Sequence, residues 1–309
     1  MRSENFDYLA ALLKQRSGLA IGPEKVYLLE SRLLPLGRKR GIEKLDSFID
    51  ELRLKRDEKL LADVVEAMTT NESFFFRDTE PFNIFRDTIL PGLLKRRADR
   101  KSLRIWCAAA STGQEPYSIA MILKENAHLL AGWRVDLLGT DLSSEVLQRA
   151  RAGTYTQFEV QRGLPIQMLV KYFTQVGSQW EISPEIRAMV RWRGFNLLDD
   201  PRELGQFDVI FCRNVLIYFD QPTKSMVLGR MARLLPEDGS LFLGAAETVL
   251  GLCDAFKSVP AMRGLYVLTQ GNGIPPQPGA LAGAVAPARA PQARAATATP
   301  GASALSRRT

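Results

Sequence analysis

The residues with most chemical promise gather where apolar runs stop. Ala108-Ala109-Ala110-Ser111-Thr112-Gly113-Gln114-Glu115-Pro116 follows one such run and opens a helical pattern. Small side chains and a single glycine let the backbone turn tightly beneath a ligand, and Pro116 suits a first helical turn. A dinucleotide site calls for a G-x-G-x-x-G loop, so that amides and the helix dipole meet a pyrophosphate. This loop has one glycine and sets Glu115 at the helix start. A carboxylate there repels phosphate and suits a cationic ligand. S-adenosylmethionine (SAM), with a sulfonium and an ammonium, meets that description.

Gly139-Thr140-Asp141-Leu142-Ser143 ends a second run. An acid at that place in a doubly wound fold is the usual reader of ribose hydroxyls; helix capping is the competing role, which Ser143 or Ser144 can also fill. Asn196-Leu197, after a third run, is placed to cap one edge of an adenine. A fourth run, Phe207 to Cys212, delivers Arg213, Asn214 and Tyr218 at its carboxyl end, where packing and loop-carbonyl contacts are the plainer roles. The only histidine, His128, lies in what reads as a solvated helix end, and Cys107, Cys212 and Cys253 form no C-x-x-C pair. A histidine triad and a multi-histidine zinc site are therefore excluded, and no metal is expected.

Such loops need a scaffold that brings strand ends together. Short apolar segments at Leu103-Ala109, Val135-Gly139, Val190-Phe195, Phe207-Cys212, Leu241-Gly244 and Leu265-Leu268 alternate with helical patterns near Tyr117-Lys124, Ser144-Ala150 and Thr223-Leu235. That alternation predicts a mostly parallel sheet covered on both faces, with a ligand outside the carboxyl ends of the strands. Between Tyr155 and Trp192 the rhythm breaks, which predicts a small inserted substructure.

Upstream, from Phe6 to about Phe76, the pattern is helical throughout. Four helices are expected: one through Phe6, Leu9, Leu12 and Leu13 stopping at Gly18; one from Val26 to Leu34 ending at Pro35; one through Phe48, Ile49 and Leu52; and one through Leu60, Leu61, Val64, Val65 and Met68. A connecting helix, Pro81 to Arg97, leads into the sheet. Arg32, Arg38, Lys39, Arg40, Arg53, Lys55 and Arg56 make the helical part basic, and a solvated face is the plain account of them. The net charge of +7 argues for an acidic partner. No apolar run approaches transmembrane length and the amino-terminal pattern is amphipathic, so a reduced, soluble, cytoplasmic protein is expected. Gly271 to Thr309, rich in Ala, Pro and Gly, is expected to be a disordered tail.

Four long stretches carry a resemblance. Thr70-Asn71-Glu72-Ser73-Phe74-Phe75-Phe76-Arg77, residues 104–120, Phe207 to Asp220, and Leu243-Gly244-Ala245-Ala246-Glu247 resemble, in order, the CheR chemotaxis receptor methyltransferases, over about residues 5 to 269. The resemblance implies an all-α domain (1–76) before a Rossmann-like, SAM-dependent α/β methyltransferase domain (77–270), with an inserted β-subdomain at about 155–192. It implies SAM as cofactor, S-adenosylhomocysteine as product, and glutamate γ-methyl esters on methyl-accepting chemoreceptor signalling helices, met through the basic helical domain. It places cofactor contacts at Asn71, Ser73, Arg77, Glu115, Asp141, Asn196, Leu197, Arg213 and Asn214. Asn71, Ser73 and Arg77 come from the resemblance alone.

There are departures. Gln114 stands where the family commonly has Glu, and Ala245-Ala246 replaces a usual His-Ser pair. The loop around Val176-Gly177-Ser178-Gln179 looks a few residues short of one that, in some members, docks a receptor's carboxyl-terminal pentapeptide, so no such tether is expected here.

A glutamate side chain, with a pKa of about 4.3, is ionised at neutral pH and needs no general base. Alignment and water exclusion remain, and alignment alone supplies about 7–11 kcal/mol of a barrier. Arg77 and Tyr218 are the expected catalytic pair, steering the carboxylate; Arg77 has a second candidate role at the cofactor's own carboxylate. A nicotinamide dehydrogenase is disfavoured by Glu115 and the missing glycines. A nucleic-acid methyltransferase wants exposed aromatics for stacking, which are not evident, and neither nucleic acid nor membrane insertion is expected. A non-catalytic cofactor- or receptor-binding module is the other alternative, and a monomer is expected.

Overall fold

The computed structural model describes residues 1–271, so the expected tail lies outside the described residues except for Gly271. Four helices come first: α1 (Ser3–Ser17), α2 (Val26–Arg38), α3 (Leu45–Lys55) and α4 (Glu58–Met68). Their apolar stripes close one core of Leu9, Leu13, Leu29, Leu33, Phe48, Ile49, Leu52 and Val64, all without exposed surface. Asp57 caps α4 by accepting from the Lys59 and Leu60 amides. Gly18 ends α1 in the left-handed region, φ 78°, and its amide returns to the Lys14 carbonyl.

One expectation is corrected here. Pro35 does not end α2, which continues to Arg38. Proline removes one bond to the carbonyl four residues back; that carbonyl belongs to the exposed Ser31, where water replaces the lost donor.

The helix after the linker runs Glu80–Ile84, passes through a π turn at Phe85–Ile89, and continues as Leu90–Arg96. The strands are then β1 (Ser102–Ala108), β2 (Arg134–Asp141), β3 (Thr154–Thr156), β4 (Phe173–Val176), β5 (Gln179–Ile182), β6 (Val190–Gly194), β7 (Val209–Cys212), β8 (Ser240–Leu243), β9 (Phe256–Ser258) and β10 (Leu265–Leu268). Seven form one sheet in the order β6-β2-β1-β7-β8-β10-β9. The first five are mutually parallel, and β10 pairs antiparallel with both β8 and β9.

The apolar runs are continuous because the sheet is buried on both faces. In β1, Leu103, Ile105 and Cys107 enter one core and Trp106 and Ala108 the other; in β7, Val209 and Phe211 oppose Ile210 and Cys212. The period of two is that of alternating side chains on a pleated strand. The short β9, unexpected from the sequence, joins the far edge.

The insertion has its own antiparallel sheet, β3-β5-β4. Its elements run from Thr154 to the Pro184–Arg187 helix, and Val190 to Trp192 belong to β6 of the main sheet. Among the described residues no helix is long and apolar enough to cross a membrane.

Candidate functional site

Strand order reverses between β1 and β7: the chain goes from β1 outward to β2 and β6, then returns to β7 beside β1. The loops leaving those two strands diverge and open a crevice, the expected ligand position in such sheets. It holds a cavity of about 1000 Å³, open mouth included. All ten residues singled out from the sequence line it: Asn71, Ser73, Arg77, Glu115, Asp141, Asn196, Leu197, Arg213, Asn214 and Tyr218.

The loop after β1 forms the floor. Ala109 and Ser111 hold positive φ, 57° and 51°, without being glycine, at a strain of about 1–3 kcal/mol each. Gly113, at φ 97°, is needed twice over, since a Cβ there meets Trp192 at 3.0 Å and Tyr117 at 3.1 Å. The strain is held by neighbours: the Ser111 amide donates to Asp141 Oδ2 at 2.8 Å, and the Ser111 hydroxyl donates to the Asn71 carbonyl at 2.8 Å. The linker after α4 is thereby fastened to the floor.

Asp141 is buried at the end of β2, and its Oδ1 accepts from the Ser143 amide at 3.0 Å. Ser143, not Asp141, caps the next helix, Ser144–Ala152. Each carboxylate oxygen keeps a second lone pair for a ligand hydroxyl. Burial pushes the Asp141 carboxyl above its ordinary value, against the pull of the Ser143 and Ser111 amides.

Glu115, in the first turn of Gln114–Glu125, accepts from Arg213 Nη1 at 2.8 Å. Arg213 Nη2 also reaches the Arg77 carbonyl at 2.8 Å and Asp78 Oδ2 at 2.6 Å, and its side chain is 1% exposed. Burial raises the Glu115 carboxyl and Arg213 opposes it. Arg213 thus acts as a counter-charge that positions Glu115 and the linker.

Asn214 begins the turn after β7 at φ 60°. Glu247 holds it: Oε2 accepts from the Asn214 and Gly244 amides at 2.8 and 2.7 Å, and Oε1 from Val215 and Ile217 at 3.0 and 3.3 Å. The Ala245-Ala246 pair beside it is exposed. The Tyr218 hydroxyl has no hydrogen-bond partner among the described residues, whereas its carbonyl accepts from the Ala20 amide at 2.9 Å.

The helical domain closes one wall. Ser17 and Leu19 line the cavity, and Leu19 bridges Phe219. Asn196 is spent on this junction: Nδ2 donates to the Arg16 carbonyl at 2.7 Å and Oδ1 accepts from the Leu198 amide at 3.0 Å. Its neighbour Leu197 is buried and supplies apolar wall.

Arg77 differs from Arg213. It is half-buried, donates to the Glu72 carbonyl at 3.1 Å, lies 5.2 Å from the Phe74 ring, and has no acidic partner among the described residues. Arg32 also departs from the basic surface suggested by sequence. Its guanidinium is tied to the Met68 and Thr69 carbonyls at 2.8 and 2.9 Å, and it clamps the end of α4. Arg38, Lys39, Arg40, Arg53, Lys55 and Arg56 remain exposed.

A cavity at the switch point of a doubly wound sheet, with buried carboxylates from β2 and from a helix start, is a nucleoside site for a cationic ligand; the donor set fits SAM. In keeping with this, residues 71–265 match the family model "CheR methyltransferase, SAM binding domain", and residues 4–69 match "CheR methyltransferase, all-alpha domain". The chain belongs to the CheR methyltransferase family and is a SAM-dependent methyltransferase. It is 38% identical over 265 residues to chemotaxis protein methyltransferase Cher2 of Pseudomonas putida, covering 84% of this chain and 96% of the relative. It is 40% identical over 267 residues to chemotaxis protein methyltransferase 1 of Pseudomonas aeruginosa, again 84% and 96%. The chemotaxis protein methyltransferase of Vibrio parahaemolyticus is 39% identical over 256 residues, 82% and 92%.

Proposed function

We propose that the chain methylates glutamate side chains on chemoreceptor signalling helices in the cytoplasm, acting as a monomer. The observation that carries this reading is the contrast between the two arginines of the cavity. Arg213 is neutralised by Glu115 and Asp78, while Arg77 is half-buried without an acid. A cation left unpaired in a partly desolvated cavity is matched by an anion from outside, and a glutamate carboxylate is that anion. Tyr218, with a free hydroxyl on the same cavity, offers a second donor to it.

Glu115, with Arg213 behind it, and Asp141 hold the cofactor's ammonium and ribose; Leu197 borders its base; Asn71, Ser73 and Asn214 complete the wall. When bound, SAM supplies a methyl group on a cationic sulfur. The substrate arrives already ionised, so the protein's residues orient it and exclude water and remove no proton. Residues 1–76 serve as the receptor-facing domain and 77–270 as the methyltransferase domain, with the insertion at about 155–192. The short loop at Val176–Gln179 supports a tether-free mode of receptor binding, which tight calorimetric binding of a receptor carboxyl-terminal pentapeptide contradicts.

Arg77→Ala tests the steering role. Turnover falls about 100-fold or more, the scale of a lost orienting charge, while S-adenosylhomocysteine affinity stays within about threefold. Loss of cofactor affinity in parallel with turnover assigns Arg77 to the cofactor's own carboxylate instead.

A further inference from the structure

Glu66 lies on α4, in the helical domain, outside the cavity. Nothing in the local sequence singles it out, since it falls on the polar side of an amphipathic helix. In the fold its Oε1 accepts from the Ser143 hydroxyl at 2.5 Å and from the Glu145 amide at 2.8 Å. It therefore covers the start of the Ser144–Ala152 helix, where unpaired amides and the helix dipole favour a carboxylate. The acid that the helix start lacks locally is supplied by another domain.

From there a continuous chain of hydrogen bonds enters the cofactor site. The Ser143 amide donates to Asp141 Oδ1 at 3.0 Å, Asp141 Oδ2 accepts from the Ser111 amide at 2.8 Å, and the Ser111 hydroxyl donates to the Asn71 carbonyl at 2.8 Å. Asn71 follows α4 by three residues, so the chain begins and ends on the same helix. Its middle members are the acid of β2 and the left-handed turn after β1. Both loops of the ribose side are thus held between two points of the helical domain.

We propose that Glu66 is a positioning residue for cofactor binding: by holding Ser143 from the helical domain it sets the Asp141 carboxylate and the Ser111 turn in the conformation that receives SAM. The helical domain then serves the cofactor as well as the receptor. This rests on the cavity being the SAM site, and wild-type binding of S-adenosylhomocysteine checks that premise separately.

The test is calorimetry with S-adenosylhomocysteine on the full-length chain, alongside steady-state kinetics and thermal melts without ligand. Glu66→Ala weakens S-adenosylhomocysteine binding about tenfold, the scale of one charge-assisted hydrogen bond, and raises KM for SAM by more than it lowers kcat. Glu66→Gln keeps an acceptor oxygen and recovers most of the affinity. Should Glu66→Ala fail to fold, Glu66→Asp, one methylene short, carries the test and weakens binding where Glu66→Gln does not. Glu66→Ala with wild-type affinity and a lowered melting temperature overturns the proposal by leaving a purely structural brace. Equal losses in the Ala and Gln variants overturn it as well, because the acceptor is then not what matters.

Discussion

The Asn214 amide donates to Glu247 Oε2 at 2.8 Å, and that contact holds a residue without glycine's freedom at φ 60° on the rim of the cofactor cavity. The same carboxylate takes three further amides, from Gly244, Val215 and Ile217. Glu247→Gln turns an acceptor into a donor facing amides that are themselves donors. We expect a loss of about 2–3 kcal/mol in unfolding free energy by denaturant titration, the scale of a charged acceptor replaced among buried donors. S-adenosylhomocysteine affinity falls with it. A stability unchanged within about 0.5 kcal/mol removes Glu247 as the brace of this turn.

Acidity is the next lever. Glu115 and Asp141 are both raised by burial above their ordinary values of 4.5 and 3.8. A cationic cofactor needs them ionised, so its affinity begins to fall, on acidification, above the pH at which ordinary carboxylates titrate. Stability linkage has the opposite sense. The folded chain holds these protons more tightly than the unfolded one, so the contribution favours folding below the ordinary carboxylate values. It is lost as pH rises through the raised folded ones. Arg213→Met removes the main opposing cation from Glu115 and moves the acid limb to higher pH. Calorimetry from about pH 8 down to about pH 5 reads this; a flat affinity across the range in both proteins rejects it.

Receptor binding should carry a salt signature. Lys39 and Arg56 are exposed without acidic partners among the described residues, whereas Arg40 and Lys55 share Glu51 and Arg38 meets Glu43 at 3.5 Å. Exposed charges are screened beyond about 8–10 Å at physiological ionic strength. We expect KM for receptor to rise several-fold between about 50 and about 300 mM salt, with Lys39→Ala plus Arg56→Ala reducing that slope. A KM independent of salt leaves these residues as a solvated surface.

The strand ends were legible because each lies where an apolar run stops, and the sheet is buried on both faces, so the runs are unbroken. Asp141, Glu115 and Arg213 could be picked out on that ground. Asn71, Ser73 and Arg77 lie on a linker whose path back over β1 is tertiary, and only the resemblance to a family pointed to them. Glu66 and Asp78 had no signal, since an acid on the outer side of a helix or in a loop reads as solvated until its partner arrives from more than 70 residues away, as Ser143 and Arg213 do here. Glu247 stood within a quoted motif, yet its job as acceptor for four amides depends on a loop 30 residues upstream. Pro35 misled because its cost is small where the orphaned carbonyl faces water.

The most direct measurement is transfer of radiolabelled methyl from SAM to purified chemoreceptor cytoplasmic fragments, followed by mild base and capture of volatile methanol. The account predicts label on receptor glutamates that base releases as methanol, and its loss in Arg77→Ala. Cofactor binding without any base-labile label on receptor, or label that resists base, contradicts it.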